Sequence, residues 1–79
     1  MSFEVLSYKA IVSKTMSDVK QKRLDLNLSQ QQLAELFDVS VGTIRRWEKG
    51  DCQPHQRHYS AMRAFLNSSA NDIYKLLNL

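Results

Sequence analysis

Between Ser29 and Gly50 the chain carries two complete helix signatures with only a short turn between them. Ser29 is a good N-cap, and Gln32, three positions on, completes a capping box in which side chain and backbone satisfy each other's free groups. Leu33, Ala34 and Phe37 then supply an apolar stripe at helical spacing. Asp38 and Val39 make the turn, Ser40 caps the second helix, and Gly50 stops it. Helices this short are marginal alone in water, so tertiary packing must hold them. The stretch from about 29 to 49 therefore reads as a helix-turn-helix embedded in a larger helical domain.

The second of these helices, expected over 41–48, has two unlike faces. Ile44 and Trp47 lie three apart and, with Glu48, form the side that turns inward. Val41, Gly42, Arg45 and Arg46 fall on the opposite side. Such a division suits a helix that enters the major groove of DNA, where each base pair shows a distinct pattern of donors and acceptors. The inward side chains anchor the helix. An outward arginine makes two hydrogen bonds to guanine O6 and N7, which discriminates by about 1–3 kcal/mol. Gly42 costs the helix roughly 1 kcal/mol relative to alanine, which close approach of the backbone to DNA would explain. Val41 is placed to touch a thymine methyl.

The flanking chain supplies the support. Thr15 and Ser17 are both cap candidates for a first helix over about 16–26, with Val19, Lys22, Arg23 and Leu26 on one face and Asn27 as its stop. Asp51-Cys52-Gln53-Pro54 reads as a loop leading into a fourth helix striped by Tyr59, Met62, Phe65 and Leu66. Ser68 or Ser69 caps a last helix carrying Ile73, Leu76 and Leu77. Residues 1–15 are ambiguous: Phe3, Val5 and Ser7 alternate as in a strand, while Tyr8 to Met16 also fits a helix. The expectation is an all-α, five-helix domain over 16–79 behind a poorly defined N-terminal arm over 1–15.

Composition narrows the function. Eleven Lys and Arg against eight Asp and Glu give a net charge of +3, a mild lean toward a polyanionic partner. No apolar run approaches the roughly 18 residues of a membrane span. The opening Met1-Ser2-Phe3-Glu4 lacks the basic and then apolar pattern of a secretory signal. With its lone Cys52, the chain is expected in a reducing compartment, the cytoplasm. Cys52, His55 and His58 have a ligand-like spacing, but a closed zinc site takes four ligands and no fourth presents itself. No catalytic set and no glycine-rich phosphate loop is visible, so neither enzyme activity, a metal nor a cofactor is expected.

Taken together, Val19-Lys20-Gln21-Lys22-Arg23, Leu28-Ser29-Gln30, Gln32-Leu33-Ala34, Val39-Ser40, Thr43 to Gly50 and Pro54 resemble the Cro and phage-repressor, or Xre-like, helix-turn-helix family. The resemblance spans residues 19–66 and implies a lambda-repressor-like DNA-binding fold. It implies that Val41, Gly42, Arg45 and Arg46 read bases, and that Gln30, Ser40, Thr43 and Lys49 touch phosphate. It also implies an ion pair between Arg23 and Glu48, which a buried glutamate would need in any case. Asn27 and Asp38 stand where the family often has glycine, and both residue types tolerate such turns.

The expected partner is double-stranded DNA, with a palindromic operator read by a homodimer. Part of the apolar stripe Ile73, Tyr74, Leu76, Leu77 and Leu79 is expected to pack on the first and fourth helices; its remainder, or Phe3, Val5 and Leu6 of the arm, would supply the dimer contact. The resulting function is a transcriptional regulator of the repressor kind. The alternative is an antitoxin that binds a toxin and regulates its own promoter.

Overall fold

The computed structural model describes residues 8–79 and shows five α-helices: α1 over Tyr8–Asp25, α2 over Gln30–Phe37, α3 over Val41–Lys49, α4 over Tyr59–Asn67 and α5 over Ala70–Leu76. A 3-10 turn at Gln56–His58 leads into α4. Among the described residues there is no strand. The alternation at Phe3, Val5 and Ser7, and the apolar arm residues Phe3, Val5 and Leu6, lie outside the described residues.

The main departure from expectation is α1. It starts at Tyr8 rather than near 16, so the segment read as an arm over 1–15 is helical from Tyr8 on. Thr15 is not a cap. It sits inside the helix, buried, and its hydroxyl donates to the Ile11 carbonyl at 2.9 Å. This bond one turn back lets a threonine stay helical when its oxygen has no helix end to serve. Asp18, the acid three residues after Thr15, pairs with Lys14 one turn earlier at 2.9 Å. The added turns bring Val12 into the core beside Met16 and Val19.

The other ends fall where their caps place them. Ser29 Oγ accepts from the Gln32 amide while the Gln32 side chain accepts from the Ser29 amide, a closed capping box. Ser40 Oγ accepts from the Thr43 amide and Ser69 Oγ from the Asp72 amide. Asn27, Asp38 and Gly50 take positive φ of 59°, 56° and 83° at the three turns that separate α1, α2, α3 and the loop after it. Asparagine and aspartate bear that conformation better than most residues.

One core joins all five helices. Leu33, Ile44, Met62, Ile73, Val12 and Val19 are its largest fully buried side chains, with Leu28, Phe37, Trp47 and Phe65 around them. Phe37 meets Phe65 edge-on at 5.8 Å between ring centres. Tyr74 of α5 donates its hydroxyl to the Leu26 carbonyl at 3.0 Å, fastening the last helix to the turn before α2.

Lys22 makes a tie that its place on α1 does not announce. Its ammonium donates to the carbonyls of Phe65, Leu66 and Ser68 at 2.7, 3.1 and 2.6 Å. These lie at the end of α4, where carbonyls lack helical partners and the helix dipole is negative. The same ammonium stands 5.3 Å from the centre of the Phe65 ring. Lys22→Met, which keeps the stem and removes the donors, is expected to cost about 1.5–3 kcal/mol in a urea unfolding measurement, the range for hydrogen bonds to a charged group.

Candidate nucleic-acid interface

The turn Asp38–Ser40 sets α3 against α2, and two inward side chains seat it. Ile44 is fully buried, and Trp47 packs against Phe37 at 6.5 Å between ring centres. Trp47 is thus a core residue and not a surface platform for bases. On its other side the His58 ring lies 5.1 Å away.

Glu48 fixes the rotation of α3. Arg23 Nε donates to Glu48 Oε2 at 2.8 Å and Arg23 Nη2 to Oε1 at 3.0 Å, a two-pronged pair. The side chains are 10% and 3% exposed, so water does little to weaken it. The remaining Arg23 prong, Nη1, donates to the Leu28 carbonyl at 2.9 Å. Gln30, the first residue of α2, donates its side-chain amide to Glu48 Oε1 at 2.9 Å. One carboxylate therefore joins α1, the α1–α2 turn, α2 and α3.

This network bears on Gln30, which was expected to touch phosphate. One of its amide hydrogens is used internally, which orients the group at the N-terminus of α2. Its other hydrogen stays available to an outside acceptor.

The outward face of α3 holds the expected base-reading set in one place. Arg45 and Arg46 are exposed, and Val41 and Gly42 are half-buried. Val41 packs in part against the core, so it presents less surface than its helix position alone suggests. Arg46 Nη2 donates to Thr43 Oγ1 at 3.4 Å, and that oxygen lies 2.9 Å from Ser40 Oγ. Ser40 and Thr43 thus stand together at the N-terminal end of α3, where backbone amides and the helix dipole favour an anion. Lys49, at the other end, is exposed and 3.5 Å from Asp51, a surface pair that contributes little.

The loop after α3 holds residues the sequence left undecided. Cys52 is exposed and free. His55 Nδ1 accepts from the Arg57 amide at 3.2 Å, and His58 leans on Trp47. The two histidines are thus engaged with Arg57, whose Nε donates to His58 Nε2 at 3.4 Å, while Cys52 stands exposed. Among the described residues no group of three or more His, Cys, Asp or Glu is placed to hold a metal ion. A cleft of about 260 Å³ lies between α1 and this loop, lined in part by Ser13, Ser17, Lys20, Trp47 and Gln53. Its carboxylate is Glu48, already engaged by Arg23 and Gln30. No helix among the described residues is long and apolar enough to cross a membrane.

A helix locked by buried contacts on one side and bearing exposed arginines on the other, set by a tight turn after a capped partner helix, defines a helix-turn-helix DNA-binding domain. The helix-turn-helix family profile matches residues 19–73, and the chain belongs to that family, of the Cro/C1 or Xre-like type. A curated relative is the type II methyltransferase M1.ScrFI of Lactococcus lactis subsp. cremoris, 44% identical over 50 residues. That match takes in 60% of this chain and spans 13% of the methyltransferase. No solved structure matches the chain.

Two outcomes test the site's construction. Arg23→Ala leaves the Glu48 carboxylate buried without its partner and is expected to lower stability by about 3–5 kcal/mol. An Arg23→Met, Glu48→Met double variant, measured in the same urea titration, should recover most of that loss. Burial against Trp47, then the nearby charges of Arg57 and His55, lowers the His58 pKa below its ordinary 6.5. The unfolded chain thus takes up this proton first, so His58 costs stability as pH falls through 6.5 and below. A proton NMR titration should place the His58 midpoint below 6.5, and His58→Phe should flatten stability over that acid window.

Proposed function

We propose that this chain is a sequence-specific transcriptional regulator of the repressor kind, which occupies an operator through α3 in the major groove. The observation that carries this reading is the outward pair Arg45 and Arg46 on a helix whose rotation is fixed by Arg23 and Glu48. Val41 and Gly42 complete the base-facing surface. Gln30, Ser40, Thr43 and Lys49 flank it as phosphate contacts, which set register while the arginines read sequence. Loss of the polyelectrolyte contribution with salt is part of the same account, because released counterions supply much of the affinity. The domain carries out no chemistry of its own. From its methyltransferase relative only the helix-turn-helix likeness is taken over, since the match covers so little of that enzyme.

A homodimer on a palindromic site is the second part of the reading. Leu76 and Leu79 are 72% and 66% exposed at the end of the chain. Leu76 also lines an apolar groove with Leu36, Phe37, Ala61, Phe65 and Ile73. This surface supports a protein contact, and a palindromic operator would put the two α3 helices of a dimer about 34 Å apart, one turn of DNA. The same surface is what an antitoxin would offer to a toxin, the alternative function. Co-purification with a small toxic enzyme would favour that alternative.

Selection from a random-sequence duplex library at moderate salt tests the proposal. The parent is expected to enrich one motif made of two inverted half-sites, and an Arg45→Ala, Arg46→Ala variant is expected to lose it. Enrichment of single half-sites would remove the homodimer. Binding without any motif, or no binding, would remove the sequence-specific reader.

A further inference from the structure

The turn that leads into α4 gathers His55, Arg57 and His58 within four residues. Both imidazoles act there as acceptors. His55 Nδ1 accepts from the Arg57 backbone amide at 3.2 Å and so caps the turn. His58 Nε2 accepts from Arg57 Nε at 3.4 Å. An imidazole nitrogen accepts only while the ring is neutral, since both nitrogens of an imidazolium are donors. The turn as built therefore requires an uncharged His58.

His58 is also the contact between this turn and α3. Its half-buried ring lies 5.1 Å from that of Trp47, the residue that seats α3 on the core. Its charged surroundings are one-sided. Arg57 and His55 act on it from its own turn, and both are basic. α3 sets the uncharged Trp47 ring against it, and the neighbouring Glu48 carboxylate is taken by Arg23 and Gln30. The charged residue of α4 is Arg63, again a base. Among the described residues no carboxylate pairs with His58 to balance a charge it would gain.

We propose that the turn Gln56–His58 is a proton-operated latch behind α3: a proton on His58 ends its bond to Arg57, frees Arg57 as a second cation there, and is taken up when the domain binds DNA. This rests on α3 being the helix that meets DNA. A charge that the protein leaves unbalanced can be balanced by the dense phosphates of a duplex. α3 with its side chains is about 10–12 Å thick, so a charge behind it reaches its outer face across about one screening length. Proton binding and DNA binding then favour each other, as linkage requires of two coupled sites. Acid costs the free protein stability and at the same time strengthens the hold of the folded protein on DNA.

The experiment follows the full chain between about pH 5 and 8, where histidine titrates. Trp47 is the chain's only tryptophan, so its fluorescence reports the His58 contact. An imidazolium beside an indole quenches its emission, and emission is expected to fall as pH drops. Calorimetry against a mixed-sequence duplex, in buffers of different ionisation enthalpy, counts the protons bound with DNA. The parent is expected to take up a fraction of a proton per chain and to gain up to about 10-fold in affinity at the acid end, the change that one unit of pKa shift gives. His58→Gln keeps an acceptor for Arg57 that cannot titrate, and it should lose both the emission change and most of the affinity gain. His55→Asn keeps a capping oxygen and should retain both. Circular dichroism at each pH shows that every variant compared is folded. The proposal is overturned if affinity is flat or falls with acid, if His58→Gln keeps the parent's gain, or if His55→Asn alone removes it. A chain that binds no duplex at any pH defeats the DNA reading itself, whereas pH-independent Trp47 emission defeats the latch whatever the DNA result.

Discussion

The buried pair of Arg23 and Glu48 is the joint on which the interface turns. Glu48 sits at the inward edge of α3, and its two oxygens receive Arg23 from α1 and Gln30 from α2. Arg23 spends its remaining prong on the Leu28 carbonyl, in the turn that leads into α2. Packing alone would hold Ile44 and Trp47 in the core but would leave α3 some freedom to roll, since apolar contact has little direction. Hydrogen bonds between a planar fork and a carboxylate remove that freedom. A buried ion pair adds little net stability over an apolar replacement. Its value here is orientation: it aims the outward face of α3 and the amide of Gln30 together.

The division of α3 into two faces follows from that joint. Its nine residues must serve a core and a partner at once. Ile44, Trp47 and Glu48 take the inner side, and Arg45, Arg46 and Lys49 remain exposed. The positive charge of the exposed face is not offset locally, apart from the weak Lys49–Asp51 pair. The net charge of +3 is therefore modest in sum but well placed, because three of its contributors lie on one short helix.

α1 shows how far a support element can differ from its local signals. Thr15 and Ser17 look like caps because hydroxyl residues ahead of an acid often start helices. Their sequence setting is ambiguous, since Tyr8 to Met16 has no glycine or proline to break a helix. Burial of Val12 and Met16 against the rest of the core resolves it in favour of a helix from Tyr8. The cap reading loses because tertiary packing of an apolar stripe outweighs a single hydroxyl hydrogen bond.

By itself the sequence determined where α2 and α3 begin and end, where the turn between them lies, and which side of α3 is anchored. Those features rest on Ser29, Gln32, Asp38, Ser40 and Gly50, whose partners lie within a few residues along the chain. The outward set Val41, Gly42, Arg45 and Arg46 was legible from helical spacing, whereas Arg23 as the partner of Glu48 and the phosphate contacts came from the resemblance to a known family. The tertiary structure alone decided the early start of α1, the capping of α4 by Lys22, the grip of Glu48 on Gln30 and the lie of Arg46 toward Thr43. The reason is physical. Lys22 and Gln30 find partners 43 and 18 residues away, which no local pattern encodes. The start of α1 depends on a core that exists only once all five helices have met, and the lie of Arg46 is a choice among side-chain rotamers that helical spacing leaves open.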